Sequence, residues 1–159
     1  MDLVQVSAVW LHSLATVVLL GYYAVMALIV IPVLRATLKE SALGRVIPDI
    51  ERRALPLVLG AVGVFLLTGL FLLLSDHRYL GLGHVVDNTW SVILLVKHIV
   101  VIALVAIGVW IDVVVVRDIA LPADELGRTA AVRRLALGAT LIATLGATVL
   151  LLTAVAQAS

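Results

Sequence analysis

Four apolar stretches dominate this sequence, and each is long enough to cross a lipid bilayer as a helix. They run over residues 3–34, 56–75, 90–116 and 135–156. A helix needs about 20 apolar residues to span the hydrocarbon core. Hydrophobic side chains also make up 64% of the 159 residues, well above the share of a soluble domain. The sequence therefore predicts an all-α integral membrane protein, a four-helix bundle in a single domain.

Composition excludes several kinds of site. The chain has no cysteine, which excludes disulfides, thiolate metal sites, iron–sulfur clusters and covalently attached haem. The formal net charge of +1 gives no reason to expect a nucleic-acid partner; the expected surrounding is a lipid bilayer. We expect no cleaved signal peptide, because Asp2 stands where a basic cluster would and the first apolar stretch is too long.

The basic residues predict how the helices cross the membrane. Nine of them lie between the first and second or the third and fourth helices: Arg35, Lys39, Arg45, Arg52, Arg53, Arg117, Arg128, Arg133 and Arg134. Only Arg78 lies between the second and third helices. Since connections rich in Lys and Arg stay in the cytoplasm, we expect both termini outside it (N-out/C-out). The expected location is a bacterial-type inner membrane.

Two histidines lie inside apolar stretches at one expected depth. His12 and His98 follow the starts of the first and third helices by nine and eight residues, and these two helices must cross in the same direction. An ionisable side chain at membrane depth is costly and is a functional candidate by default. Two imidazoles at one level of a bundle predict a metal or haem site with both histidines as ligands.

Small and hydroxyl-bearing residues occupy the same level of the other two helices. They are Thr68 and Gly69 in the second helix, and Ala147 and Thr148 in the fourth. Such side chains leave room for a flat cofactor, and they equally allow close packing of helices. Together with the two histidines, they favour a cofactor.

The ligand types favour haem b. A Cu(I) pathway prefers soft sulfur ligands, yet the only methionines are Met1 and Met26. Two imidazoles in a dry bundle instead suit the axial positions of haem b. We expect the haem propionates near Arg78 or Lys97, whose charges would neutralise them.

Two other interpretations stay open. His77 and His84, with the neighbouring carboxylates of the same connection, offer a second metal site, and His12 with these histidines is typical of copper handling. In that case loss of His77 or His84 abolishes metal binding, whereas haem binding needs neither. The other interpretation is a cofactor-free structural subunit whose small-residue faces dock on partner helices.

Other polar groups in the helices also have two interpretations each. Lys97 can extend toward the membrane surface or face the cofactor. Asp112 can admit protons at the cytoplasmic end or form an ion pair with a nearby arginine. Tyr22 and Tyr23 lie mid-membrane, and we expect one of them to point inward to satisfy its hydroxyl group.

Short motifs in the first three helices carry a family resemblance. The first reads Trp-Leu-His-Ser-Leu-Ala-Thr-Val-Val-Leu-Leu-Gly (10–21), the second contains Leu-Leu-Thr-Gly-Leu (66–70), and the third Trp-Ser-Val-Ile-Leu-Leu-Val-Lys-His (90–98). The chain resembles the CopD-like (copper resistance D) membrane domain and, more distantly, the HemJ type of protoporphyrinogen oxidase. The resemblance matches His12 and Lys97 to positions of these families.

The resemblance implies copper handling in the bacterial envelope on the CopD side, and haem b with porphyrin redox chemistry on the HemJ side. We expect a CopD-like haem b protein that transfers single electrons, or serves as a small subunit of a membrane redox complex. A homo-oligomer or a larger membrane assembly is the expected context. Whether the chain is itself an enzyme stays open at this point.

Overall fold

The computed structural model describes residues 2–79, 81, 84, 86–87, 89–121 and 124–158, and these contain four long helices. They are α1 (Leu3–Thr37), α2 (Glu40–Ser75), α3 (Thr89–Ala120) and α4 (Glu125–Ala158). Each has a stretch long and apolar enough to cross a membrane. Lipid offers no hydrogen bonds, so a helix, which pairs its own backbone groups, is the expected form of such a stretch. The predicted all-α architecture is confirmed.

Two helices begin well before their apolar stretches. α2 begins at Glu40 rather than near Pro56, and α4 begins at Glu125 rather than near residue 135. The sequence predicts Pro56 in the first turn of α2, but it lies inside the helix, as does Pro48. Arg, Glu, Leu and Ala favour helix whether or not lipid surrounds them. The charged segments are therefore helical extensions of the spans.

These extensions make the bundle longer than a membrane is thick. The 36 residues of α2 extend over about 54 Å at 1.5 Å per residue, against a hydrocarbon core of about 30 Å. We call the end with the α2–α3 connection (residues 76–88) the histidine end. The opposite end, with the connections at 38–39 and 121–124, is the arginine end. Which end faces the cytoplasm stays a prediction.

The most deeply buried side chains all lie toward the arginine end. α1 packs against α2 and α4, α3 packs against α4, and the last turns of α3 reach α2. Among the residues whose burial is described, the apolar ones exposed by 2% or less all belong to the arginine-end halves of their helices: Met26, Ile31, Leu43, Ile47, Ile111, Val115, Ile119, Ala131, Val132, Leu135 and Ala139. The bundle is thus tightly packed at the arginine end.

Two π-helical segments interrupt α1 and α3 at the same level of the bundle. They are Met26–Val30 in α1 and Ile111–Val115 in α3, which begin 23 and 22 residues from the histidine-end starts of their helices. A π turn holds an extra residue and so shifts the faces of the helix that follow it, and such segments are frequent at functional sites. Met26, Ile111 and Val115 lie in these segments, and their side chains are buried in the core.

Candidate cofactor-binding site

His12 of α1 is held against α2 through one ring nitrogen. Its Nδ1 lies 3.1 Å from the carbonyl oxygen of Phe65 and 3.0 Å from Oγ1 of Thr68. The Thr68 hydroxyl donates to the carbonyl oxygen of Val64 at 2.6 Å, so its oxygen accepts from His12. Both partners of Nδ1 are then acceptors, which places the ring proton on Nδ1 and leaves a lone pair on Nε2.

The ring of His12 is also positioned by packing. It stacks on the ring of Phe65, with centroids 4.4 Å apart and an interplanar angle of 23°. A Cβ atom at Gly69 would lie only 3.1 Å from Cε1 of His12. Gly69 therefore gives the imidazole its space, and α2 fixes the ring from two sides.

His12 faces a cavity of about 530 Å³ between the helices. This volume is within the range of about 300–1,000 Å³ that is usual for small-molecule and cofactor sites. The small residues of the wall are Gly21, Ala24, Ala143 and Ala147. Lys97 of α3 lines the same cavity, so the structure places it inside the bundle beside His12.

His98 lies on a different face of α3. Its side chain is exposed, and its Nδ1 lies 2.7 Å from the carbonyl oxygen of Leu94 in the preceding turn. His12 and His98 each follow the first residue of their helix by nine positions, yet adjacent residues point about 100° apart around a helix. The structure brings Lys97, rather than His98, into the cavity with His12.

The remaining predicted residues divide between the site and its surroundings. Thr68 lies within hydrogen-bond distance of His12, Gly69 leaves space beside the imidazole ring, and Ala147 lines the cavity. Thr148 is exposed, and its hydroxyl donates to the carbonyl oxygen of Thr144 at 3.1 Å.

Arg78 lies at the histidine end and is already engaged there. Its guanidinium lies 3.2 Å from Oδ2 of Asp76 and 4.8 Å from the centroid of the Trp90 ring. Hydrogen bonds and the charge of Arg78 hold the pKa of the Asp76 carboxyl below its usual range. Arg78 is thus paired by a carboxylate of its own connection rather than free for an anionic cofactor.

The two histidines of the α2–α3 connection are separate from the cavity beside His12. Nδ1 of His84 lies 2.6 Å from Oδ2 of Asp87, and His77, 91% exposed at its side chain, lies 3.8 Å from Asp76. Among the described residues, no three His, Cys, Asp or Glu side chains are grouped to hold a metal ion. A haem needs no such group, because its porphyrin supplies the equatorial ligands and the protein only axial ones.

Two residues with notable positions in the structure were not predicted from the sequence. Phe65, which stacks on His12, carries no signal because phenylalanine is ordinary in an apolar helix. Glu51 is only 8% exposed, although it lies in a charged segment. The four-residue spacing of Leu43, Ile47 and Glu51 could have placed it on the buried face of a helix.

Comparisons of the chain with protein-family models, with curated proteins and with solved structures found no match. The resemblance to CopD-like and HemJ-type proteins stays a prediction. The functional argument is built on the geometry around His12.

Proposed function

We propose that this protein binds haem b in the cavity beside His12, with Nε2 of His12 as an axial ligand of the iron. The hydrogen bond from Nδ1 of His12 to the carbonyl oxygen of Phe65 is the observation that carries the proposal. Histidines that bind metals almost always donate their other ring N–H in this way, because the bond fixes the tautomer and the ring orientation.

The charge in the cavity supports the same proposal. Within the described part of the chain, no ion pair involves the ammonium group of Lys97. A cation at membrane depth is costly until an anion or a polar group pairs with it. A haem propionate is such an anion. Since Arg78 is held by Asp76, we propose Lys97 as the partner of a propionate.

The walls of the cavity suit a porphyrin. They are mostly apolar, with Phe65, Leu20 and Val149 beside the small residues of α1 and α4. Apolar walls exclude water and so control the reduction potential of a bound haem. Bound haem supplies one-electron chemistry, while His12 holds the iron and Phe65 and Thr68 position His12.

The proposed role is electron transfer, either by this protein alone as an oligomer or as a small subunit of a larger membrane redox complex. We further propose that the histidine end faces away from the cytoplasm of a bacterial-type inner membrane, because nine of the eleven Lys and Arg residues belong to the other end. The haem would then lie in the outer half of the bundle.

An optical spectrum tests the proposal directly. The detergent-purified protein is measured after oxidation in air and again after reduction with dithionite, and its iron and copper are quantified. We expect a sharp b-type α-band on reduction and iron near one per chain. Bound copper without a Soret band would overturn the haem proposal in favour of copper handling. A colourless protein without either metal, even after incubation with haemin, would leave a structural subunit.

Gly69→Ala is expected to weaken haem binding without unfolding the protein. The added methyl group would lie 3.1 Å from Cε1 of His12, so the ring must shift by a few tenths of an ångström from its hydrogen bonds. Loss of a hydrogen bond that orients a metal-binding histidine typically lowers metal affinity by about 10–100-fold. Haemin titration of the apo-protein measures the effect.

Gly63→Ala is the matched control, because it lies on the same helix and a Cβ there meets nothing within 4 Å. Equal affinities of the two variants would contradict the positioning role of α2.

A further inference from the structure

A second cavity lies between the helices, and we call it the Asp112 cavity. It has a volume of about 140 Å³ and is lined by residues of all four helices. Along α3 it extends from Val101 to Asp112, which is about 16 Å of helix. Among the described residues of its wall, only Thr16, Tyr23 and Asp112 have polar side chains. The cavity is therefore a long apolar space with a few polar groups.

Tyr23 and Asp112 place unpaired polar groups at one end of this cavity. Tyr23 is only 8% exposed, and a Cβ at Gly108 would lie 3.2 Å from its hydroxyl oxygen. Asp112 follows Gly108 by about one helical turn, so its carboxyl lies near the level of this hydroxyl. Within the described part of the chain, neither group takes part in a hydrogen bond or an ion pair, including the arginine pair that is one interpretation of Asp112. Buried polar groups without a partner are costly, and a ligand that pairs with both removes that cost.

Helix packing does not close the side of the cavity between α2 and α3. Among the described residues, α3 packs closely on α2 only through its last turns, Val116–Ala120. Three residues that line the cavity are exposed at the surface of the bundle: Leu59 by 59%, Val105 by 39% and Val109 by 56%. They come from α2 and α3, whose apolar surfaces face lipid in a membrane. A lipid-soluble molecule can therefore enter between these two helices.

The polar end of the cavity lies near one boundary of the membrane. Asp112 follows the start of α3, Thr89, by 23 residues, which is about 34 Å of helix against a hydrocarbon core of about 30 Å. Val101, at the other end of the cavity, follows Thr89 by 12 residues, or about 18 Å, and so lies within that core. The space thus suits an amphiphile whose polar group is near the arginine end and whose apolar part lies in the hydrocarbon.

The volume and the polar groups restrict the chemistry of that amphiphile. An engineered cavity of about 150 Å³ holds a benzene ring, so about 140 Å³ has room for one six-membered ring. The hydroxyl of Tyr23 can donate a hydrogen bond, and the carboxyl group of Asp112 offers acceptor oxygens. A phenolic hydroxyl pairs with both, because it accepts one hydrogen bond and donates another. An acyl chain of a lipid would fill the space but leave Tyr23 and Asp112 unpaired.

We propose that the Asp112 cavity binds the ring of a lipid-soluble phenol, the chemistry that alkylphenols and membrane quinols share. The hydroxyl of Tyr23 donates to the phenolic oxygen, and the phenolic hydroxyl donates to the carboxyl group of Asp112. The alkyl tail extends past Leu59 and Val105 into the lipid. This binding site goes beyond the proposed haem site and does not depend on it, because neither Tyr23 nor Asp112 lines the cavity beside His12.

Binding of radiolabelled 4-decylphenol to the immobilised, detergent-purified protein tests the proposal. We expect saturable binding near one per chain, above the background of beads that carry detergent alone. Excess decylhydroquinone should displace the label, whereas decylbenzene, which has the same ring and tail but no hydroxyl, should not. Tighter binding of decylhydroquinone than of 4-decylphenol would assign the site to a quinol, and equal binding to phenols in general. No saturable binding, or equal displacement by decylbenzene, would overturn the proposal.

Tyr23→Phe and Asp112→Leu are each expected to weaken binding of 4-decylphenol by about 10-fold, the scale of one lost hydrogen bond. Both changes roughly keep the volume of the side chain and remove a polar group, so we expect the helices to stay folded, which circular dichroism checks. Unchanged affinity in both variants would contradict the assigned contacts.

The neighbouring tyrosine supplies the matched control. The hydroxyl of Tyr22 donates to Oε2 of Glu51 at 2.6 Å, and Tyr22 is not among the residues that line the Asp112 cavity. Tyr22→Phe should therefore bind 4-decylphenol as the unchanged protein does, and a loss equal to that of Tyr23→Phe would count against the site. The assay measures neither haem nor iron, so its failure is distinguishable from a failure of haem binding.

Discussion

His12→Ala is expected to abolish haem binding, whereas His98→Ala is expected to leave it intact. The imidazole of His12 is fixed by Phe65 and Thr68 and faces the cavity, so its loss removes the proposed iron ligand. The loss in affinity should exceed the roughly 10–100-fold that follows from losing an outer-shell partner. The reduced α-band and the iron content of each purified variant measure the result.

His98→Ala is the informative control because His98 is also a membrane-embedded histidine at the same level. Its Nδ1 bonds to the carbonyl oxygen of Leu94 in its own helix, and its side chain is exposed. Equal loss of haem in both variants would contradict the site described here.

Ile47→Ala is expected to lower the free energy of unfolding by about 2–5 kcal/mol, the usual cost of emptying a fully buried aliphatic site. Ile47 is 0% exposed and belongs to the tightly packed core at the arginine end. The truncation leaves a space that the neighbouring helices can fill only in part. Denaturant or thermal unfolding in detergent, followed by circular dichroism, measures the change.

Leu67→Ala provides the comparison, because Leu67 is on the same helix and is 73% exposed. An exposed substitution of this kind usually changes stability by less than about 0.5 kcal/mol. If the two variants were destabilised equally, packing at the arginine end would not be the main source of stability.

The number and type of the helices could be predicted because a long apolar stretch in lipid has few solutions other than a helix. Their ends could not, since hydropathy reports the surrounding solvent and not the backbone conformation. Glu40 and Glu125 begin helices in segments that are polar but still favour helix. Pro56 was for the same reason expected at a helix start and found inside a helix.

The level of the candidate site residues along the helices could be predicted from the sequence, but the directions of their side chains could not. His12 and Lys97 face the cavity, while His98 is exposed. Helices surrounded by lipid carry apolar side chains on both inner and outer faces, so the periodicity that marks the buried side of a soluble helix is weak. The sequence therefore could not show which of the two neighbours, Lys97 or His98, faces the cavity.

The separation of the packed core from the cavity beside His12 bears on how the protein matures. The residues that hold the helices together at the arginine end, such as Ile47 and Ile119, are not among those that line the cavity beside His12. In metal-dependent small domains the ligand supplies the folding energy, but here the scaffold has its own. If the proposed haem is bound, the chain would insert and fold first and receive the haem afterwards. Cofactor supply, rather than folding, would then limit how much active protein a cell contains.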